Sequence, residues 1–317
     1  MFRDYDYIRT FDDLIFIVRG DHYPKDRIRA IPVFFPDENG DRVERITGKK
    51  FIRKIGEYSK ELILKLRPEY LPDLDDLNRC GVLVPIKDIV THYIPRIEMK
   101  KCWESGIFEN TRWKRLISSI NKIAQMPLED IGIYGSFLVG LQKDSSDIDL
   151  VIYGKENLNK LKESFKLILK ESGFKKVNRK QLFAESKKWS KYCPLGINQI
   201  FKILLRQWSR IAIDGRKTMC IRFAYKENEI PPDPYNSPII ETIKIKGEVV
   251  ESIGSHFFPR IIKVKCNGKV IEVISYYWLF FSCVRDGDRV EIFGNYRKNS
   301  QREFITLDEP EHYILPE

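Results

Sequence analysis

Residues 133–154, IYGSFLVGLQKDSSDIDLVIYG, constrain the fold more than any other part of the sequence. Two apolar runs flank a short polar segment with a glycine, which predicts two strands joined by a turn. The second run carries Asp147 and Asp149, and side chains at alternate positions of a strand lie on the same face. Burying two unpaired carboxylates is costly, so we expect both at a strand end, beside a cation.

Mg²⁺ fits this pair, because it takes one or two protein carboxylates together with phosphate oxygens of a substrate, and Mn²⁺ is the alternative. Gly135 and Ser136 end the first predicted strand. Glycine lets the backbone approach a phosphate, and serine offers a hydroxyl and an N–H, so the two predict a small anion cradle. Lys143 and Lys155 are nearby candidates for phosphate contact.

The Gly-Ser pair, the short connection and Asp-x-Asp on the next strand resemble the signature of the nucleotidyltransferase (DNA polymerase beta-like) superfamily. The resemblance covers about residues 111–226, including an amphipathic helix at 111–125. It implies that Asp147 and Asp149 are catalytic, metal-binding residues and that Gly135 and Ser136 hold a nucleoside triphosphate. The implied reaction is metal-assisted transfer of a nucleoside monophosphate. The alternative interpretation of the motif is a surface β-hairpin with solvated aspartates.

The superfamily usually has a third carboxylate on a later strand. The matching segment here is TMCIRFAY, which puts Cys220 at that position and Arg222 on the same face. Asp214 precedes this strand, in a predicted glycine turn, and is better explained as a turn residue. The thiol favours an alternative hypothesis: a catalytically degraded transferase fold that acts as a nucleic-acid-binding protein.

Positive charge is concentrated in the middle of the chain. The formal net charge is +10, and residues 155–191 alone contain 12 basic and 4 acidic residues. Such a block predicts a polyanionic partner, RNA or DNA, with Lys175, Lys176, Arg179 and Lys180 as candidate contacts. The alternative is a lysine-rich, solvated helix surface. Nucleic acid is therefore the favoured acceptor, and transfer of a nucleotide onto a protein is a further alternative.

The predicted fold class is α+β, with a nucleotidyltransferase core, a mixed sheet flanked by helices, at 111–228. A β-rich segment is predicted at 1–55, a connector of short helices at 56–110, and a proline-rich linker at 229–238. Residues 239–317 contain several short strands with turn signals, which predicts a small, OB-like β-barrel. The flanks faintly resemble those of archaeal predicted nucleotidyltransferases.

The predicted barrel contains aromatic residues that could stack on bases, although a core position is the favoured interpretation. They are Phe257, Phe258, Tyr276, Tyr277 and Trp278. We expect the neighbouring His256 to lie in a surface loop.

Several functional classes are disfavoured by the sequence. The six cysteines lack the spacing of a zinc site and are expected to be buried thiols. No apolar run reaches the roughly 18 residues of a membrane-spanning helix, and the charged N-terminus is not typical of a signal peptide. We therefore expect no membrane partner and a cytoplasmic protein.

Overall fold

The computed structural model describes residues 1–44, 46–54, 57–72, 81–143, 146–213, 217–232, 237–300 and 302–317. These residues form two compact units. The first contains residues 1–175 and 219–228, and the second contains residues 176–218 and 229–317. The chain thus leaves the first unit after Lys175 and returns to it at Met219, so the segment 111–228 contributes to both units.

The first unit begins with an antiparallel sheet. Its strands are β1 (Tyr7–Thr10), β2 (Ile15–Val18), β3 (Arg27–Pro36), β4 (Arg42–Val43), β5 (Lys50–Arg53), β6 (Val82–Pro85) and β7 (Ile89–Tyr93). They pair in the order β4-β5-β3-β2-β1-β7, and β6 also pairs with β3. Apolar side chains such as Phe16, Ile28 and Val84 form a buried cluster of this unit.

Two parts of the predicted helical connector are strands, and the first is β6, which pairs with β3. The sequence predicts a helix that includes residues 89–93, IVTHY, and this is wrong, because they form β7 and pair with β1. Ile89, Val90 and Thr91 are β-branched and favour an extended backbone, and β1, remote in sequence, supplies the hydrogen bonds. The helices of the connector are α1 (Glu57–Leu66) and α2 (Pro95–Glu104).

A second sheet of the first unit contains the motif. It consists of β8 (Ile131–Tyr134), β9 (Asp149–Tyr153) and β13 (Arg222–Ala224). β9 lies in the middle, antiparallel to β8 and parallel to β13. The predicted amphipathic helix is confirmed as α3 (Arg112–Ile123), and it packs against α4 (Lys155–Ser172).

The N-terminal cap of α3 is Thr111, whose side chain accepts a hydrogen bond from the backbone N–H of Lys114. Single-turn 3₁₀ helices lie at Pro68–Tyr70, Ile86–Asp88, Leu128–Asp130, Glu227–Glu229, Ile253–His256 and Trp278–Phe280. No helix in the described ranges is both long enough and apolar enough to cross a membrane.

The second unit contains helices α5 (Arg179–Trp189) and α6 (Ile197–Arg206) and a closed barrel. Short strands occur at β10 (Lys175–Lys176), β11 (Arg210–Ala212) and β12 (Thr218–Cys220). The later strands are β14 (Ile239–Glu251), β15 (Arg260–Cys266), β16 (Lys269–Ser275), β17 (Arg289–Lys298), β18 (Glu303–Leu307) and β19 (Tyr313–Pro316). The ring β14-β15-β16-β18-β17 closes because β17 pairs with β14, and β16 and β18 are parallel.

Barrel strands and both helices share one core, which joins Ile200 and Ile203 of α6 to Val264 and Ile292 of the barrel. Of the five aromatic residues singled out from the sequence, Phe257, Phe258 and Tyr276 are buried, and Tyr277 and Trp278 are partly exposed. Phe257, Phe258 and Tyr276 therefore belong to the core, which is the interpretation that the sequence favours.

The expectation of a surface position for His256 is wrong. His256 is buried, and its Nε2 lies 2.9 Å from both Trp208 Nε1 and Ser282 Oγ. These polar partners satisfy the imidazole and so reduce the free-energy cost of burying it. The identity of residue 256 alone could not predict that such partners surround it. The five cysteines within the described ranges are thiols, and Cys80 lies outside those ranges.

Candidate functional site

The motif forms two antiparallel strands whose ends bring Gly135 against Asp149. Tyr134, the last residue of β8, pairs with Asp149, the first residue of β9. Gly135 has a φ of +78°, and a Cβ at this position would lie 2.5 Å from Oδ2 of Asp149. A side chain at 135 would therefore be strained and would occupy the space of the carboxylate.

Ser136 opens the turn that follows. It is buried, and its carbonyl oxygen accepts a hydrogen bond of 2.9 Å from the backbone N–H of Leu141. Lys143 is held at both ends: its backbone N–H donates to Ser146 Oγ at 2.9 Å, and its ammonium pairs with Asp41 of the N-terminal sheet. The turn is thus fixed by its own hydrogen bonds and by a contact with a distant segment.

Asp147 and Asp149 lie close enough to repel one another, and both are partly buried. Burial, and then the charge of Asp147, raise the pKa of Asp149 to about 7, against the opposing effect of Arg53 and Arg222. Full ionisation of both carboxylates is therefore unfavourable in the metal-free protein. A bound cation would remove the penalty.

The donor set fits Mg²⁺ or Mn²⁺. Two carboxylates supply the hard oxygen ligands that these ions prefer, and the absence of a Cβ at Gly135 leaves room for one of those carboxylates. Within the described ranges, no group of three or more His, Cys, Asp or Glu side chains is arranged to hold a metal ion. Asp147 and Asp149 would therefore share the cation with oxygens of a substrate or water.

Binding of Mn²⁺ should depend on pH, because Asp149 must lose its proton when the cation binds. Its pKa in the folded protein, about 7, is raised above the ordinary value of 3.8. Affinity should be constant above that pH and fall by up to about tenfold for each pH unit below it.

Calorimetric titration of Mn²⁺ in buffers of different ionisation enthalpy measures the affinity and the protons released. We expect proton release below the pKa of Asp149 and none well above it. Affinity that does not change across this range would contradict the assignment of Asp149 as a ligand.

Cys220 is the last residue of β12, two residues before Arg222, which opens β13 beside β9. Cys220 is buried. Although burial disfavours its charge, the pKa of Arg222 is raised by the nearby side chains of Cys220, Tyr5 and Tyr134. The placement of Cys220 at the position of a third carboxylate stays a prediction from the sequence, and Asp214 lies outside the described ranges.

The N-terminal sheet also borders the site. The ring of Tyr5 packs edge-on against Tyr134, with 5.0 Å between the centroids. The hydroxyl of Tyr7 bonds to the backbone of Gly135, and burial raises the pKa of that hydroxyl. These contacts could not be predicted from the sequence, because nothing in a short strand more than 120 residues before the motif indicates what it packs against.

The structure does not bring Lys155 to the carboxylates. It is the first residue of α4, beyond the far end of β9 from Asp149, and its ammonium lies 5.5 Å from the ring centroid of Tyr225. At about 3.3 Å per strand residue, this end of β9 is well out of reach of a phosphate beside Asp149.

The four basic residues proposed from the sequence to contact nucleic acid are all exposed. They are Lys175, Lys176, Arg179 and Lys180. The first two form β10, and the last two begin α5, which is capped by Asn178. Lys175 ends the first unit, and the other three belong to the second.

Comparison with known proteins agrees with the motif. A family model described as nucleotidyltransferase domain matches residues 114–213. That range includes Gly135, Ser136 and both aspartates, and it excludes the N-terminal sheet, Cys220 and the barrel. Domains of this family use a nucleoside triphosphate as substrate and usually require divalent metals.

The chain is also similar to an uncharacterized protein of the archaeon Methanocaldococcus jannaschii. The two are 22% identical over 313 residues, which cover 91% of this chain and 88% of that protein. The similarity extends over the regions before and after the matched domain. The resemblance inferred from the motif is confirmed by the nucleotidyltransferase family model, which matches residues 114–213.

Proposed function

We propose that the protein transfers a nucleoside monophosphate from a nucleoside triphosphate to a nucleic acid, using Mg²⁺ or Mn²⁺. The observation that carries the proposal is the pair Asp147 and Asp149 beside the Gly135–Ser136 turn, within a nucleotidyltransferase domain. The acceptor and the metal are the parts of the proposal that go beyond the domain itself.

In this proposal, Asp147 and Asp149 hold the cation, and the Gly135–Ser136 turn receives the triphosphate. The bound metal would polarise the phosphate oxygens and stabilise the charge that develops during transfer. A hydroxyl of the acceptor attacks the α-phosphorus, the bond to the bridging oxygen breaks, and pyrophosphate leaves. The superfamily resemblance puts Cys220, not a carboxylate, at the position of the group that would take the hydroxyl proton. In this proposal the proton therefore passes to solvent, and we expect slow turnover.

The surface of α5 supports a nucleic acid as acceptor. Arg179, Phe183 and Lys187 follow one another at helical spacing, and Phe183 packs edge-on against Phe201 with 5.6 Å between the centroids. The guanidinium of Arg179 lies 5.2 Å from the Phe201 ring, and the ammonium of Lys187 lies 5.2 Å from the Phe183 ring. Cations beside partly exposed rings suit both the backbone and the bases of a single strand.

Nucleic-acid binding should depend on salt and on the four exposed basic residues. If about five phosphates are neutralised, the logarithm of affinity should fall with the logarithm of salt at a slope of about −4. Changing Lys175, Lys176, Arg179 and Lys180 to Glu should weaken binding by at least about a hundredfold at low salt, because each change turns an attraction into a repulsion. Fluorescence anisotropy with labelled oligonucleotides measures both effects.

A matched control changes four exposed lysines of the first unit to Glu, which alters the net charge equally. They are Lys25, Lys87, Lys100 and Lys101. If the two variants lose affinity equally, net charge rather than this surface governs binding. A flat salt response would contradict a nucleic-acid partner.

The barrel supports the same proposal through its architecture. A closed ring of five short strands, with a three-stranded antiparallel meander and one parallel pair, is consistent with an OB-like domain. Domains of this kind commonly bind oligonucleotides.

Cys220 favours a second candidate function: a nucleic-acid-binding protein that holds a metal–nucleotide complex without transferring the nucleotide. A thiol is a poor ligand for Mg²⁺, so a site with two carboxylates can bind without completing the reaction.

Release of pyrophosphate separates the two candidates. The protein is incubated with Mg²⁺ or Mn²⁺ and each nucleoside triphosphate, with RNA, DNA or a protein acceptor. Transfer releases pyrophosphate only when a suitable acceptor is present, and a protein acceptor that replaces nucleic acid would redirect the proposal. Metal-dependent nucleotide binding without pyrophosphate release would support the second candidate.

A further inference from the structure

The β4–β5 hairpin of the N-terminal sheet rests on the segment that joins the two strands of the motif. Nη1 of Arg42 donates a hydrogen bond of 2.9 Å to the carbonyl oxygen of Leu141. The neighbouring Asp41 pairs with the ammonium of Lys143. These contacts fix the hairpin at the segment that leads to Asp147.

The hairpin carries two arginines on one face. Arg42 on β4 is opposite Phe51 on β5, and Arg53 follows Phe51 by two residues, so all three side chains share a face. Phe34 pairs with Arg53 on the next strand, and the guanidinium of Arg42 lies 5.6 Å from the Phe34 ring centroid. Arg42 is half-buried against this ring, and Arg53 is exposed to solvent.

Both guanidiniums lie within electrostatic reach of the motif carboxylates. Burial, and then the positive charge of Arg53, lower the pKa of Arg42, against the effect of Asp41 and Asp147. Arg53 in turn lowers the pKa of Asp149.

We propose that Arg42 and Arg53 of the N-terminal sheet form the subsite that binds the polyphosphate of the nucleotide, across from Asp147 and Asp149. The proposal rests on the proposed function for the identity of the nucleotide. Neither arginine lies within the matched nucleotidyltransferase domain, so this subsite is an addition that the N-terminal sheet makes to the domain.

Charge balance supports this subsite. A divalent cation on Asp147 and Asp149 cancels their two negative charges. Asp41, which also pairs with Lys143, is then the carboxylate left beside Arg42, and a polyphosphate would supply further negative charge for the two guanidiniums. The planar guanidinium also matches two phosphate oxygens at once. Lys143, the lysine of the motif segment, is already paired with Asp41, so the arginines are the better-placed cations.

Binding of inorganic tripolyphosphate and of ATP, measured by calorimetry with and without Mg²⁺, tests the subsite. Changing Arg53 to Gln should weaken binding of both by about tenfold or more and leave adenosine binding unchanged. Arg53→Lys keeps the charge but loses the paired hydrogen bonds, so it should recover part of the loss. Lys50→Gln is the matched control, because Lys50 is exposed on the same strand with its side chain on the opposite face.

Arg53 is exposed, so its substitution should leave thermal unfolding unchanged. Arg42→Lys is a second variant of the subsite, and it should also weaken binding of tripolyphosphate because it loses the paired hydrogen bonds of the guanidinium. Equal affinity of the Arg53→Gln variant and the Lys50→Gln control for tripolyphosphate would overturn the subsite. A different result bears on the proposed function. If Asp147→Asn with Asp149→Asn leaves Mg²⁺-ATP binding intact, the metal site fails, whereas metal-free tripolyphosphate should still bind that variant through Arg53.

Discussion

Changing Asp147 and Asp149 together to Asn should abolish Mg²⁺-dependent binding of nucleotides and leave the fold intact. Asn has the shape of Asp without the charge, and a hard cation loses both of its protein carboxylates. We expect affinity for Mg²⁺-ATP to fall by on the order of a hundredfold or more, measured by calorimetry.

Because the pKa of Asp149 is raised to about 7, ionised Asp149 destabilises the metal-free fold. The variant should therefore resist heat at least as well as the parent above that pH.

Glu104→Gln with Glu109→Gln is the matched control, because it removes two exposed carboxylates of the same unit. It should leave Mg²⁺-ATP binding unchanged. If the two double variants bind equally well, Asp147 and Asp149 do not hold the metal.

Changing Cys220 to Asp should strengthen Mg²⁺ binding and raise transfer activity. The superfamily resemblance places Cys220 at the position of the third carboxylate, and Cys220 lies two residues before Arg222 on the strand beside β9, so we expect the new carboxylate to supply the missing oxygen ligand. Arg222, beside Cys220, would compensate part of the cost of burying a new charge. We expect Mg²⁺ affinity to rise by about tenfold, and turnover by more if the new group also accepts the proton of the acceptor hydroxyl.

Cys220→Asn separates the carboxylate from the change of shape, because it has the same size and lacks the charge. Calorimetry with Mg²⁺ and a transfer assay should show a gain for Asp and none for Asn. Rapid turnover by the parent protein would contradict this account of Cys220, and would indicate that another group serves as the third ligand. Equal behaviour of the two variants would show that the Cys220 side chain does not face Asp149.

The carboxylate pair could be predicted from the sequence because its geometry is local. Gly135 and Asp149 are 14 positions apart and meet through a strand, a turn and a second strand, each with its own signal in the sequence. The neighbour of Gly135 differs from the prediction. We expected the glycine to let the backbone approach a phosphate, whereas in the structure the carboxylate of Asp149 lies against it.

The arginines of the site could not be predicted in the same way. Arg42 and Arg53 lie about 80 to 90 residues before the motif, in a segment without a recognisable pattern. Their place beside Asp147 and Asp149 depends on how a separate sheet packs, which is a tertiary property. The strand at residues 89–93 was missed for the same reason, because β7 is stabilised by pairing with β1, which is remote in sequence.

The C-terminal barrel was predicted from the turns and alternation of its strands, but the strand pairing that closes it was not. Closure depends on the pairing of β14 with β17, about 50 residues away, and strand patterns carry no information on which edges meet. The buried position of His256 could not be predicted for the same reason, because it depends on contacts with Trp208 and Ser282, which are distant in sequence.

Transfer of an α-labelled nucleotide is the decisive test of the proposed function. The parent protein, Cys220→Asp and the Asp147→Asn with Asp149→Asn variant are incubated with each α-labelled nucleoside triphosphate, Mg²⁺ or Mn²⁺, and an RNA or DNA acceptor. The account predicts slow, metal-dependent transfer of label to a nucleic acid by the parent, faster transfer by Cys220→Asp, and none by the double variant. Absence of transfer by both the parent and Cys220→Asp, with every nucleotide and acceptor, would contradict it.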